Sequence, residues 1–204
     1  LEHPRTFTEK ISAYKLFYRD QPLWKYVDKY AVSDFVSEKI GSRYLVPLLG
    51  VYDRAEDIDF AGLPEKFVIK ATHGSNWNMI CTDKSHFNIP ECIQNYSTFL
   101  RINYYAHWRE WAYKNVPPRI IIQELLLAED GSLAKDYQFL CFNGVPKYLH
   151  VVGNRFNDTH TLQYFDTNWK KLKIVTVTPP PQVDEEKPPN FDEMLDVATR
   201  LSTG

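Results

Sequence analysis

The stretch FVIKATHGSNWNMI, residues 67–80, is the most informative part of this chain. Its pattern predicts a short apolar strand that carries one lysine, then a small polar loop, then a second apolar strand. Because side chains alternate along a strand, Phe67, Ile69 and Ala71 are predicted to face one side and Lys70 the other. An ammonium group on an otherwise buried strand is costly unless an anion meets it.

The loop after the lysine supplies Thr72, Gly74, Ser75 and Asn76. The backbone N–H groups and hydroxyls of such a loop can surround phosphate oxygens, as anion-binding nests do. A lysine on the strand before this loop therefore indicates a clamp for a nucleoside triphosphate. The same spacing also fits a β-hairpin with a surface lysine, and spacing by itself leaves both interpretations open.

Size and composition limit the class of protein. A chain of 204 residues can form one large domain or two small lobes. With 24 basic and 26 acidic residues, its charge gives no reason to expect a nucleic-acid partner. Cys81, Cys92 and Cys141 are widely spaced without a C-x-x-C pair, which argues against a disulfide framework and a zinc site. No apolar run approaches the ~20 residues of a membrane span and no signal peptide is visible, so we expect a cytoplasmic protein.

Local patterns predict helices and strands along the whole chain. Thr6 and Glu9 form a capping box for a first helix, and Gly41 is the predicted stop of a second helix over 28–40. Asn143-Gly144 is a strong hairpin signal, because both turn positions need a positive φ. Asn190 with Glu193 predicts the start of a last helix. The remaining predictions are a strand within 44–52, an acidic connector over 53–64, strands over 67–71 and 77–82, a helix over 90–105 that continues into 107–111, a strand over 119–127, hairpin strands over 137–142 and 147–152, a strand over 162–165, and a proline-rich extended loop over 179–189.

Several motifs occur in an order that resembles a known family. They are Phe7-Thr8-Glu9-Lys10, Asp28-Lys29-Tyr30-Ala31-Val32, Pro47-Leu48-Leu49-Gly50-Val51-Tyr52, Phe67-Val68-Ile69-Lys70, Thr72-His73-Gly74-Ser75 with Trp77-Asn78, Arg109-Glu110-Trp111, and Asp136-Tyr137 leading to Phe142-Asn143-Gly144. Together they look like the TupA-like ATP-grasp family, which is named for a protein of teichuronopeptide synthesis and whose members sit with capsule and cell-surface polysaccharide genes. The resemblance covers the chain from about Thr6 to Gly204.

The resemblance implies an α+β ATP-grasp fold, in which two α+β lobes with mostly antiparallel sheets hold ATP between them. The expected domains are an N-terminal helical and α/β segment over 1–64, a small lobe with the phosphate loop over 65–126, and the incomplete start of a large lobe over 127–204. The implied reaction activates a carboxylate as an acyl phosphate, which an amine converts to an amide. The implied partners are an amino acid and a uronic-acid-containing glycan or sugar nucleotide, and peripheral association with the polysaccharide assembly machinery stays open.

The resemblance also implies which residues bind ATP. Lys70 matches the phosphate-binding lysine of the family, and Lys29 matches the second lysine that ATP-grasp enzymes bring to the phosphates. The loop over 72–76 corresponds to the flexible loop that covers the phosphates. Asp136 matches the acidic position that meets the ribose hydroxyls. The segment that joins the lobes and reads adenine is matched by Gln123, Glu124, Leu125 and Leu126.

Two further residues are candidates for catalysis. His73 is a candidate for contacting a phosphate or acting in catalysis, although a locally satisfied loop histidine explains it equally well. Arg155 is a candidate for holding the γ-phosphate or an anionic substrate, because a guanidinium suits both, with an exposed salt bridge as the simpler interpretation. The segment 108–111, Trp-Arg-Glu-Trp, fits either a substrate platform or the packing of an amphipathic helix.

The chain departs from the family pattern at two positions and in one region. Gln123 stands where a glutamate is common, and Gln138 stands where a lysine is common, which leaves a charge role at Gln138 open. Family members carry Mg²⁺ on acidic residues in two strands after the last helix predicted here. The sequence ends at Gly204, so we expect a fold truncated before those strands, with the magnesium ligands beyond Gly204. We identify no candidate metal ligand within these residues. By itself this chain is therefore not expected to catalyse the reaction, because metal bridging of the phosphates is part of the chemistry.

Two alternatives from other classes stay open. Asp57-Ile58-Asp59 has the D-x-D pattern of nucleotide-sugar glycosyltransferases, although two aspartates in an acidic connector are far more often solvated. A non-catalytic, truncated paralogue that binds a nucleotide or a sugar would fit the expected lack of metal strands. Lys70 distinguishes the ligase from the glycosyltransferase, because only the ATP-dependent enzyme needs it.

Overall fold

A computed structural model of the chain describes residues 3–19, 22–154 and 160–203. The α-helices are α1 (Phe7–Phe17), α2 (Trp24–Val27), α3 (Val32–Ile40), α4 (Ile89–Phe99), α5 (Tyr104–Trp108) and α6 (Phe191–Ser202). The strands are β1 (Leu48–Tyr52), β2 (Phe67–Ala71), β3 (Asn78–Cys81), β4 (Ile120–Glu124), β5 (Asp136–Phe142), β6 (Val145–Gly153) and β7 (Thr161–Asp166). Short 3₁₀ turns occur at Ser42–Tyr44, Ala55–Asp57, Lys84–His86 and Trp111–Tyr113. The fold is therefore mixed α/β with antiparallel sheets, as the sequence predicted.

The chain divides into two compact units. Unit 1 contains the described residues of Leu1–Glu38 and Ser42–Leu125, and unit 2 contains Lys39–Gly41 and the described residues of Leu126–Gly204. The sequence-based division into 1–64, 65–126 and 127–204 stays a prediction. Each unit has its own sheet and its own buried cluster.

Unit 1 is built on a four-stranded antiparallel sheet with the strand order β1-β4-β2-β3. β2 has hydrogen-bonded neighbours on both sides, which explains why its apolar residues are buried. Phe67, Ile69 and Ala71 are fully buried in one cluster with residues of α4, which confirms the predicted alternation. In β2, Lys70 is the one residue that is not buried. The strand therefore fixes the position of the lysine while its side chain stays partly exposed.

Unit 2 has a three-stranded antiparallel sheet with the order β5-β6-β7, and α6 packs on its buried cluster. Asn143 (φ 50°) and Gly144 (φ 76°) make the predicted tight turn between β5 and β6. Both residues lie in the left-handed region, which asparagine and glycine adopt most readily.

The proline-rich segment 179–189 has no regular structure, as predicted, but it is tied to the sheet by Gln163. This side chain, which is 3% exposed, donates from Nε2 to the Asp184 carboxylate (2.8 Å) and accepts from the Glu185 backbone N–H (2.8 Å). The Trp169 indole donates to the Glu185 carbonyl (3.2 Å). A buried amide with both ends hydrogen-bonded holds a loop that composition by itself leaves unconstrained.

The predicted start of the second helix at Asp28 is wrong, because α3 begins at Val32. The buried Asp28 carboxylate accepts the N–H groups of Tyr30 (2.9 Å) and Ala31 (3.3 Å). These side-chain hydrogen bonds stabilise a turn before the helix, as aspartate commonly does.

The predicted helix over 90–105 is broken into α4 and α5. α4 ends at Phe99, and Asn103 then caps α5 by accepting the Ala106 N–H (3.2 Å). α5 ends at Trp108, because the next residue, Arg109, has a left-handed φ of 56° and stops the helix before Glu110 and Trp111. The interpretation of 107–111 as a continuation of one helix is therefore wrong.

The predicted caps had mixed outcomes. The capping box of Thr6 and Glu9 is present at the start of α1, with both reciprocal hydrogen bonds. Asn190 precedes α6 as predicted, but its side chain makes no capping hydrogen bond. Its backbone (φ −95°, ψ 20°) is not extended, and the Phe191 N–H donates instead to the Pro188 carbonyl (3.1 Å). A proline turn therefore starts this helix.

None of the helices within the described ranges has the length and apolar character that crossing a bilayer requires.

Candidate functional site

The loop between β2 and β3 is closed at its base by main-chain hydrogen bonds. The Ala71 N–H donates to the Trp77 carbonyl (3.0 Å), and the Thr72 N–H donates to the Arg119 carbonyl (2.9 Å). The fully buried Thr72 hydroxyl donates to the Pro117 carbonyl (3.1 Å) and accepts the Arg119 N–H (3.1 Å). Because this hydroxyl is used inside the protein, Thr72 anchors the loop, and its predicted contact with a phosphate stays a prediction.

The tip of the loop lies on an aromatic cluster. A Cβ atom on Gly74 would lie 2.4 Å from the indole of Trp77, so the close approach of ring and backbone requires glycine. Trp77 in turn stacks on Phe99, with ring centroids 4.9 Å apart and planes at 8°. Ser75 and Asn76 are exposed, and Asn76 has a left-handed φ of 62°. The loop therefore presents two polar residues to solvent over a packed base.

Lys29 reaches this loop from the turn before α3. Its ammonium donates to the carbonyls of Ala71 (3.0 Å) and Gly74, and its backbone N–H lies 3.4 Å from the Thr72 carbonyl. The turn held by Asp28 fixes the direction from which the lysine enters. The second predicted lysine is therefore in contact with the predicted phosphate loop.

Lys70 lies at the centre of the sheet beside Gln123. The Lys70 ammonium donates to Oε1 of Gln123 (2.9 Å) on the neighbouring strand β4. Across the other edge, Lys70 pairs in register with Asn78, whose buried Oδ1 has no hydrogen-bond donor among the described residues. Gln123 contacts the lysine through an uncharged oxygen, and its predicted contact with adenine stays a prediction.

The two lysines influence each other electrostatically. Burial and the positive charge of Lys70 lower the pKa of Lys29 to about 8, against the opposing effect of the Asp28 carboxylate. Two cations that destabilise each other favour an anion with several charges at the same place. The point charges of lysine suit phosphate groups. A polyphosphate is therefore the ligand that this arrangement fits.

His73 points into the protein rather than to the loop surface. It is 4% exposed, and its Nε2 lies 2.9 Å from the Phe99 carbonyl. Burial lowers its pKa, and the charge of Lys29 lowers it further. A neutral, packed imidazole is unlike a catalytic group that meets solvent and substrate, so the catalytic role of His73 stays a prediction.

The remaining predicted residues are spread over the end of β4 and unit 2. Glu124 is exposed, and its N–H donates to the Pro47 carbonyl (3.1 Å). Leu125 ends unit 1, whereas Leu126 and Asp136 belong to unit 2, with Asp136 at the start of β5. Arg155 lies outside the described residues. The structure thus brings together Lys29, Lys70, Gln123 and the loop over 72–76.

Sequence reasoning missed the residues that hold this site in place. Asp28 orients the turn that carries Lys29, and the backbone at 117–119 holds Thr72. The sequence places Asn78 in the predicted second strand and in the family motif Trp77-Asn78, but its position opposite Lys70 depends on the register of β2 and β3. Contacts between distant segments leave no local pattern, so spacing could not reveal the others.

The described ranges contain no group of three or more His, Cys, Asp or Glu residues that could hold a metal ion. The described residues thus show no metal site of their own, and the magnesium ligands stay a prediction. Asp57 lies near the Arg54 guanidinium (3.9 Å), and Asp59 accepts the Gly62 N–H (3.2 Å). These local contacts match the solvated interpretation of the D-x-D pattern.

Comparison with known proteins identifies the family of the chain. The sequence profile of a family described as TupA-like ATPgrasp matches residues 9–204. Searches among curated proteins and among solved structures gave no match. The match covers the turn with Lys29, the strand with Lys70, the loop between β2 and β3, and the hairpin of β5 and β6.

Proposed function

The chain belongs to the TupA-like ATP-grasp family, and on that premise we propose that it is an ATP-dependent carboxylate–amine ligase of cell-surface polysaccharide biosynthesis. Family membership supports the ATP-dependent, ligase-like role. The amide bond between an amino acid and a uronic acid of a glycan is the finer part of the proposal, and it rests on the resemblance alone.

One observation carries the ATP part of the proposal. Two ammonium groups from distant segments, Lys29 and Lys70, lie close enough for one to lower the pKa of the other. Lys29 is also hydrogen-bonded to two carbonyls of the loop strand and loop, so its side chain is already ordered before a ligand binds. Cations that are already held in place stabilise a negative charge beside them without first having to rearrange.

The described residues supply binding and orientation in the proposed reaction. A carboxylate oxygen attacks the γ-phosphorus, the bond to the β-phosphate oxygen breaks, and ADP leaves. The amine nitrogen then attacks the acyl carbon, inorganic phosphate leaves, and the nitrogen loses a proton to give the amide. Lys29 and Lys70 would hold phosphate oxygens, and Gly74, Ser75 and Asn76 would offer backbone N–H groups above them. Closure of this loop would keep water from the acyl phosphate.

Location and partners belong to the same proposal. A ligase that uses ATP and prepares glycan subunits would work in the cytoplasm, where ATP is available, and would meet the polysaccharide assembly machinery at the membrane surface. An amino acid would be the amine substrate, and a uronic-acid-containing glycan or sugar nucleotide the acid.

The test is calorimetric titration of the chain with a non-hydrolysable ATP analogue. We expect Lys70→Met and Lys29→Met each to weaken binding by tenfold or more, because a charge-assisted contact contributes about 1.5–3 kcal/mol. Lys66→Met is the matched control, since Lys66 is exposed directly before β2. Equal affinity in all three variants, or preference for a uridine or cytidine sugar nucleotide over the ATP analogue, would refute the proposal.

A further inference from the structure

A cavity in unit 1 lies behind the phosphate loop, on the side of the aromatic segment that follows α4. Its volume is about 200 Å³, and its lining includes His73, Arg101, Asn103, Tyr104, Tyr113 and Lys114. This is smaller than the ~300 Å³ at which sites for drug-sized ligands begin, so one sugar ring or a similar small group is the size it suits. None of these side chains holds ATP in the proposed site. His73 belongs to the phosphate loop, but its side chain points away from the loop surface.

His73 gives the cavity an unused hydrogen-bond acceptor. The Phe99 carbonyl can only accept, so the proton of the imidazole must be on Nε2 and the lone pair on Nδ1. Nδ1 is buried and has no donor among the described residues. Buried polar atoms without a partner are rare and point to an absent water or ligand. A hydroxyl group is the ligand donor that a neutral imidazole nitrogen fits.

Two tyrosines give the cavity an aromatic wall. The rings of Tyr104 and Tyr113 lie 4.7 Å apart at 52°. Tyr104 is buried, and its ring lies edge-on to the ring of Trp77 at the end of the phosphate loop, with centroids 5.4 Å apart. Aromatic rings with a polar tip bind groups that are apolar on one face and polar at the rim, which describes a sugar ring. The wall is thus connected directly to the loop proposed to hold ATP.

The rim of the cavity is cationic. Arg101 and Lys114 are both exposed, and the Arg101 side chain forms no ion pair with any residue in the described ranges. The Lys114 ammonium lies 4.5 Å from the Trp111 ring centroid, which holds it near the surface. The nearby Glu110 carboxylate lies 3.9 Å from Lys15. An anionic group is therefore preferred at this rim.

We propose that this cavity binds an acidic sugar residue, with the carboxylate at Arg101 and Lys114, the ring against Tyr104 and Tyr113, and a hydroxyl donating to Nδ1 of His73. The site would hold the uronic-acid glycan beside the phosphate loop, so the proposal deepens the ligase function and rests on it. Because Tyr104 packs on Trp77 of the phosphate loop, sugar binding and ATP binding should be coupled, each changing the affinity for the other by the same factor.

The test is titration of the full chain with D-glucuronate, with D-glucose as the uncharged comparison, followed by NMR or calorimetry. We expect glucuronate to bind at least tenfold more tightly than glucose. Arg101→Gln and Lys114→Gln should each remove about tenfold of this affinity, because each deletes one charge-assisted hydrogen bond. Arg109→Gln is the matched control: an exposed arginine of the same segment that does not line the cavity.

Equal binding of the two sugars would overturn the proposal, as would unchanged glucuronate affinity in both cavity variants. Binding of anionic phospholipid vesicles that depends on Arg101, without sugar binding, would also overturn it in favour of a membrane contact. The ATP analogue, titrated into the same samples, separates this proposal from the ligase function. Analogue binding that depends on Lys70, without glucuronate binding, removes only the sugar site. Glucuronate binding that depends on Arg101, without analogue binding, supports the sugar site and removes the ligase proposal.

Discussion

The molecule contains two β-hairpins that are joined in opposite ways. β5 and β6 are connected by Asn143-Gly144, and the turn is made by those two residues with their positive φ values. β2 and β3 are connected by the loop over 72–77, which is held by backbone and side chains of residues 29 and 117–119. The first turn is defined locally, whereas the second takes its shape from remote segments.

This difference corresponds to a difference in use. A two-residue turn closes a hairpin with few free backbone groups, so it offers little to a ligand. A six-residue loop exposes Ser75 and Asn76 while its base is fixed by Thr72 and Lys29. Binding loops are commonly of this kind, a polar tip on a rigid base.

The largest expected effect is on the base of the loop. Thr72→Val keeps the shape of the side chain but leaves the Pro117 carbonyl and the Arg119 N–H without their partner. We expect a loss of about 2–4 kcal/mol in the free energy of unfolding, because each partly buried group left unpaired costs about 1–3 kcal/mol. Urea unfolding measures it. Thr72→Ser keeps the hydroxyl and serves as the control. Equal stability of the Val and Ser variants would show that these hydrogen bonds do not hold the loop.

The next effect compares the glycines of the two hairpins. Gly74→Ala is expected to lose about 1–3 kcal/mol from overpacking against Trp77. Gly144→Ala is expected to lose about 1–2 kcal/mol because an L-residue is strained at its positive φ. A double-mutant cycle with Trp77→Leu distinguishes the causes. Coupling of about 0.5–3 kcal/mol is expected with Gly74→Ala and none with Gly144→Ala. No coupling at Gly74 would remove the steric explanation.

The pH dependence of nucleotide binding tests the lysine pair. With a pKa of about 8, Lys29 is mostly charged at pH 7 and mostly neutral at pH 9. Affinity for the ATP analogue should fall as pH rises above about 8, by up to about tenfold per pH unit. Binding should also take up a proton near pH 8, which calorimetry in buffers of different ionisation enthalpy detects. Lys29→Arg should flatten the profile; a slope that persists in this variant would assign it to another group.

The lowered pKa of Lys29 also makes the stability of the chain depend on pH. The pKa of Lys29 is about 8 in the folded chain and near its ordinary value of 10.5 in the unfolded chain. Between these values the unfolded state binds more protons, so the contribution of Lys29 to the free energy of unfolding rises with pH. Urea unfolding of the chain and of Lys29→Met at pH 7.5 and 9.5 measures it, and a smaller rise in the variant is expected.

The smallest effect concerns the two left-handed asparagines. Asn76→Gly and Asn143→Gly should each change the free energy of unfolding by less than about 0.5 kcal/mol, because glycine adopts a positive φ freely. Asn76→Gly should weaken binding of the ATP analogue, because Asn76 belongs to the loop proposed to hold the phosphates, whereas Asn143→Gly should leave this binding unchanged. Equal affinity of both variants for the ATP analogue would show that the Asn76 side chain does not contribute to its binding.

Features defined by neighbours in sequence were predicted well. The capping box at Thr6, the alternation along β2 and the turn at Asn143-Gly144 all depend on residues within a few positions of each other. The helix break at Asn103 was missed because the apolar pattern continues through it. The Asn103 side chain starts a new helix there by accepting the Ala106 N–H. The spacing of apolar residues contains no information about such a capping hydrogen bond.

For the candidate site, the sequence supplied the residue types but not their contacts. Lys70 and the polar loop were visible as a pattern, and Lys29 came from the family resemblance. The contact of Lys70 with Gln123 depends on the register of β2 and β4, and that of Lys29 with Gly74 spans 45 positions. Neither the register of distant strands nor the entry direction of a turn is encoded in local spacing.

The amide of Gln163 has a consequence for how the chain withstands proteases. Residues 179–189 have the composition of a linker, and such segments are ordinarily cut first. Here a protease can take hold of the segment only after the hydrogen bonds of Gln163 to Asp184 and Glu185 have opened, because a bound loop does not fit an extended protease cleft. The rate of cleavage in this segment therefore measures how often this part of unit 2 opens locally, and it does not follow from the proline content of the segment.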